Sequence, residues 1–155
     1  MIASETGMEG SEQYGLNRTQ KTEEQVFMHK GFMIITNNTL VKEKLGDDYH
    51  VEYEDLSFED TLKKVRDKIY QGHKLLTHPL SGSVKPNETP YKSVMISEKP
   101  EGLDAQAMKI IESAIQSCGK FQFKSDKYRP EVYDDFRLID CTLIESALPS
   151  AECWQ

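Results

Sequence analysis

The hydrophobic positions of this chain fall into short blocks that begin at Gly31. Phe32-Met33-Ile34-Ile35 is a continuous apolar run, as expected of a central strand buried on both faces. It ends in Thr36-Asn37-Asn38-Thr39, where Asn38 is suited to cap a following helix. Leu40, Val41 and Leu45 then form the inner face of one short helix, with Gly46 as its stop. His50 to Glu54 alternates and predicts a second strand, more exposed and nearer an edge. Ser57 and Asp60 open the clearest helix with the spacing of a capping box. Phe58, Leu62, Val65 and Ile69 give that helix one apolar face, and Gly72 sits where a glycine follows a helix end. Lys74 to Thr77 and Ser93 to Ser97 read as two more short strands. Leu103, Ala107, Ile110, Ile111, Ala114 and Ile115 mark a helix capped by Asp104 and ended by Gly119. Phe136, Ile139, Leu143, Ile144, Ala147 and Leu148 are again at helical spacing, with Pro149 as the expected stop. Residues Phe136 to Ile139 fit a strand equally well by periodicity.

This alternation predicts an α/β fold of three layers, with a mostly parallel four-stranded sheet and helices on both faces. A strand order of 2-1-3-4 is one such arrangement. Before the first strand, residues 1–30 are polar and follow neither period, so they are expected to be a disordered arm. The single domain is expected over 31–149, and 150–155 as a short flexible tail.

Composition narrows the function classes. The 155 residues suit one domain plus a tail, too few for a multidomain enzyme or an eight-fold barrel. Nineteen Lys and Arg against 26 Asp and Glu leave a net charge of -7, which disfavours general binding to nucleic acid. No apolar run of about 18 residues is present, so no membrane span is expected. The N-terminus has neither the basic start nor the apolar stretch of a secretory signal. Cys118, Cys141 and Cys153 contain no C-x-x-C pair. Free thiols in a reducing cytoplasm are therefore expected, with Cys118 and Cys141 as packing residues and Cys153 exposed.

The most informative stretch is His78 to Lys92. It has no period, contains three prolines, and leaves the carboxyl end of a predicted parallel strand. With the order 2-1-3-4, this loop and the Thr36–Thr39 turn flank one crevice. Ser81, Gly82 and Ser83 offer hydroxyls and backbone N–H groups to an anion, and Lys85 and Lys92 offer positive charge. Thr36, Asn37 and Asn38 offer hydrogen bonds from across the crevice, and His78 and Asn87 complete the candidate ligand-binding set. A small phosphate or carboxylate is the ligand this chemistry suits. The competing reading is a proline-stiffened loop that covers a sheet edge or forms a protein interface.

Other chemistry is thin. His78 lies three residues from Ser81, but no G-x-S-x-G elbow is present and nothing orients a base. No glycine-rich nucleotide motif occurs, and the four histidines are scattered. No cofactor, metal or catalytic residue is therefore expected, and no turnover by the protein alone. Lys120 to Arg129 mixes basic and aromatic residues, and a self-packed connection is preferred there over nucleic-acid stacking.

The runs Ile34-Ile35-Thr36-Asn37-Asn38 and His73-Lys74-Leu75-Leu76-Thr77-His78-Pro79-Leu80-Ser81-Gly82-Ser83-Val84-Lys85-Pro86-Asn87-Glu88-Thr89-Pro90-Tyr91-Lys92-Ser93 resemble the GrdX family. Its members are small proteins encoded beside selenium-dependent glycine, sarcosine and betaine reductases of anaerobic bacteria. The resemblance covers roughly Gly31 to Leu148, and the long loop is its specific part. It implies a cytoplasmic accessory or regulatory protein of amino-acid fermentation, with reductase subunits as partners and self-association left open. It carries no catalytic residues over. The residues themselves keep a second reading alive, a small-anion enzyme or sensor that uses the crevice.

Overall fold

A computed structural model describes residues 31–81, 89–120 and 128–153. The expected arm at 1–30, the loop residues Gly82, Ser83, Lys85 and Asn87, and most of the Lys120–Arg129 patch lie outside the described residues.

Among the described residues three strands form the sheet: β1 (Phe32–Thr36), β2 (Val51–Tyr53) and β3 (Ser93–Ser97), in the order β2-β1-β3. β1 pairs parallel with β2, Ile34 opposite Val51, and antiparallel with β3, Thr36 opposite Ser93. This corrects the expected four-stranded, mostly parallel sheet. Lys74 to Thr77 makes only a bridge, Leu75 to Ile96, on the outer side of β3. An order of 2-1-3-4 would set that segment beside β1, and β3 takes the position instead. The physical reason is the connection. A parallel partner requires a crossover, usually helical, to carry the chain back to the starting edge. No helix separates Thr77 from Ser93 among the described residues, so the chain returns from the edge it has reached and runs antiparallel.

Four helices of the described residues pack on the sheet: α1 (Thr39–Leu45), α2 (Phe58–Tyr70), α3 (Ala105–Cys118) and α4 (Pro130–Glu152). Side chains alternate along a strand, so β1 feeds two cores. Met33 and Ile35 join Val94 and Ile96 against α2 and α3, through Phe58, Leu62, Val65, Ile69 and Ile111. Phe32, Ile34 and Met95 face the other way, onto Val41 and Leu45 of α1 and Cys141 and Ile144 of α4. The caps follow the sequence. Asn38, Ser57 and Asp104 each accept a backbone N–H in the first turn of their helix. Gly72 holds φ at +105°, a conformation costly for other residues, just past α2.

α4 departs most from expectation. It begins at Pro130, where a missing N–H is harmless, so Phe136 to Ile139 is helical. Pro149 does not stop it, and the helix continues to Glu152. An interior proline costs about 3 kcal/mol. Here only the last turn is affected, and Ala151 is buried in the second core, which recovers part of that cost. The helix is also rotated relative to the expected face. Ile139 is 56% and Leu138 52% exposed, whereas Asp140, Cys141 and Ile144 turn inward. No helix of the described residues is long and apolar enough to cross a membrane. Cys118 and Cys141 are buried and Cys153 is exposed, all as free thiols.

Candidate functional site

The polar residues of the fold gather where β1 ends and β3 begins. Because β1 and β3 are antiparallel, Thr36 and Ser93 face each other, with Thr36 Oγ1 and Ser93 Oγ 2.7 Å apart. Asp140 of α4 reaches this point. Its Oδ1 accepts the Ser93 backbone N–H at 3.0 Å, and its Oδ2 accepts the Ser93 hydroxyl at 2.7 Å and Asn38 Nδ2 at 3.0 Å. The Asn38 backbone N–H donates to Thr36 Oγ1 at 2.9 Å. These contacts set the direction of the hydroxyl chain. Ser93 gives its only proton to the carboxylate, so it accepts from Thr36.

The two asparagines act as ties. Asn38 Oδ1 caps α1 at Leu40, and its Nδ2 also donates to the Arg137 carbonyl at 2.9 Å. Asn37 Nδ2 donates to the carbonyls of Leu56 and Pro90, both at 2.8 Å, while its Oδ1 accepts the Lys92 backbone N–H at 2.8 Å. Thr36, Asn37 and Asn38 are all buried. Their amide protons are taken up inside the protein, where they join β1, the start of α1 and α4 to the chain entering β3.

Beside this network lies a cavity of about 330 Å³. Thr77, His78, Ser81, Lys92 and Ser93 line it from the strand side, and Asp140, Leu143, Ile144, Ser146 and Ala147 from α4. Its size falls within the range of small-ligand sites, and one apolar wall facing a few polar groups is their usual chemistry. Of the residues singled out from sequence, His78, Ser81 and Lys92 line this cavity, whereas Thr36, Asn37 and Asn38 sit behind it.

Lys92 is its most unusual member. Only 4% of the residue is exposed, yet among the described residues Nζ makes a single hydrogen bond, to the Ser81 carbonyl at 2.8 Å. An ammonium has three N–H groups, so among these residues two remain for a ligand or water. Burial pushes its pKa below the usual lysine value, against the opposing pull of Asp140. Asp140, 7% exposed, is likewise pushed by burial above the usual carboxylate range. The hydrogen bonds from Asn38 and Ser93 and the charge of Lys92 oppose that rise. His78 Nδ1 accepts the Leu80 N–H at 3.1 Å, so the neutral ring carries its proton on Nε2 as a donor.

Asp140 escaped the sequence reading. The available signal was a carboxylate four residues before Ile144 and eight before Leu148, on one helical stripe. The apolar Phe136, Ile139 and Leu143 drew the inner face elsewhere. His73 and His50 are occupied at other places, His73 Nδ1 donating to the Ser97 carbonyl and His50 Nδ1 lying 2.7 Å from Glu98. Among the described residues no group of three or more His, Cys, Asp or Glu side chains converges on a metal position.

No curated protein and no solved structure matches the chain at a significant level. A family model described as GrdX-like protein matches residues 33–149, which include most of both cores, the Thr36–Asn38 turn, Lys92 and Asp140. With most of its length matched, the chain belongs to the GrdX-like family.

Proposed function

We propose that this protein is a cytoplasmic accessory or regulatory component of selenium-dependent glycine, sarcosine or betaine reductase systems. In this reading it does not turn over substrate alone and works by binding a small anion in the cavity between α4 and the start of β3. Membership of the GrdX-like family supports the reductase context. The ligand reading is carried by one observation, the buried Lys92 ammonium on the cavity wall with a single hydrogen bond among the described residues.

The two parts are tested separately. Tagged protein expressed in a host that makes the reductase should retain a reductase subunit through purification, and its absence from the eluate refutes the accessory role. A thermal-shift screen with phosphate, acetyl phosphate, glycine, betaine and nucleotides tests the cavity. A ligand at a hundredfold excess over its Kd stabilises the protein by about 2.7 kcal/mol. Lys92→Gln should abolish that shift. A shift unchanged by the substitution puts the ligand elsewhere, and no shift with any of them removes the anion-binding reading.

A further inference from the structure

The charges lining the cavity also bear on which anion it takes, an inference that rests on the anion-binding reading. Among the described residues the cavity wall carries one cation, Lys92, and one anion, Asp140. Asp140 accepts from Ser93 N, Ser93 Oγ and Asn38 Nδ2, donors that together with Lys92 favour its ionised form against the burial that disfavours it. Sites for phosphate surround it with several cations or with the N–H groups of a helix N-terminus. This wall is different. Asp140, Ile144 and Ala147 come from the middle and later turns of α4, and Leu143 and Ile144 make much of it apolar.

We propose that the cavity selects a monocarboxylate with a short aliphatic body, and that Asp140 is the specificity-determining residue that disfavours dianions such as phosphate. Lys92 holds the carboxylate, and Leu143, Ile144 and Ala147 cover the hydrocarbon. The physical reason is how energy scales with charge. Attraction to Lys92 grows in proportion to ligand charge, and so does repulsion from Asp140. The cost of stripping water from the ligand grows as the square of its charge. With Lys92 as the single cation among the described lining residues to compensate, the second charge costs more than it gains. A cavity of about 330 Å³ has room for roughly ten non-hydrogen atoms, at about 30 Å³ for each water-sized group.

Titration calorimetry on the full chain at pH 8 and fixed ionic strength tests this, with butyrate, hexanoate, succinate, phosphate and sulfate as probes. Butyrate should bind at least tenfold more tightly than succinate, which has the same chain length and one more charge, and more tightly than phosphate. Each added methylene should strengthen binding about fourfold. In Asp140→Asn the butyrate preference should shrink. Should that variant not fold, the Asp140 side-chain carbon resonance of labelled wild-type protein supplies the second measurement, and it should move when butyrate is added. Phosphate or succinate binding as well as butyrate, with the binding lost in Lys92→Gln, overturns the selectivity and leaves the anion reading standing. No binding by any of the five overturns both. An unshifted Asp140 resonance at saturating butyrate, or a preference unchanged in Asp140→Asn, removes Asp140 from the role.

Discussion

Replacing Asp140 by alanine should destabilise the fold severely, although it removes a buried charge. The carboxylate is the acceptor for three donors, Ser93 N, Ser93 Oγ and Asn38 Nδ2, at 3.0, 2.7 and 3.0 Å. Ser93 is buried and Asn38 has no exposed surface, so water does not readily replace the lost acceptor. Each buried donor left unmade costs about 1–3 kcal/mol. Ser93 can turn its hydroxyl toward Thr36, which recovers part of one. The variant is also relieved of the desolvation cost that burial imposes on Asp140. A net loss of about 3 kcal/mol follows. With a urea m-value of about 2 kcal/mol/M for a domain of this size, the unfolding midpoint should fall by about 1.5 M. Urea titration followed by far-UV circular dichroism reads this directly. A midpoint lowered by less than about 0.3 M, a fifth of that shift, would show that the network adds nothing to the docking of α4. Because burial raises the folded pKa of Asp140, its contribution is fully present below the ordinary carboxylate value and declines as pH rises through the raised one. The gap between wild type and Asp140→Ala should therefore widen as pH falls from 7 toward 4. A gap that narrows contradicts the direction of the shift.

Asn37→Ala removes the ties to Leu56, Pro90 and Lys92 and leaves a buried N–H without its acceptor. It should cost about 2 kcal/mol, seen as a melting temperature lowered by about 8 °C, and a change below about 2 °C speaks against the tie. In native protein a thiol reagent should modify Cys153 quickly, and Cys118 and Cys141 only at the rate of unfolding. Both are buried, and burial pushes their pKa values up to about 11 and about 12. More than one fast thiol by mass spectrometry excludes this. The Tyr49 hydroxyl donates to Glu152 at 2.6 Å, and that bond holds its pKa above the usual tyrosine value, up to about 12. Stability should thus decline between about pH 10 and 12, less steeply in Tyr49→Phe, and identical alkaline limbs for the two proteins contradict the assignment.

Local signals determined much of this protein from sequence alone. The three helix caps, the strand Phe32–Ile35 buried on both faces and the face of α2 each follow from residues within a few positions of one another. That Lys92, Ser81 and His78 come together was also within reach, since one polar loop carries all three. The tertiary structure decided what depends on distant partners. Lys74 to Thr77 has the composition of a strand, but whether it lies beside β1 or outside β3 depends on how the chain returns, and periodicity is silent on that. In α4 a stripe of Ile139 and Leu143 looked like the inner face by hydrophobicity. Its rotation was set instead by Asp140, whose burial is tolerable only where Asn38 and Ser93 supply donors. Those residues lie 102 and 47 positions away in the chain. A hydrophobic pattern records which side chains avoid water, whereas a buried carboxylate is placed by the partners that replace its water, and only the folded chain brings them together.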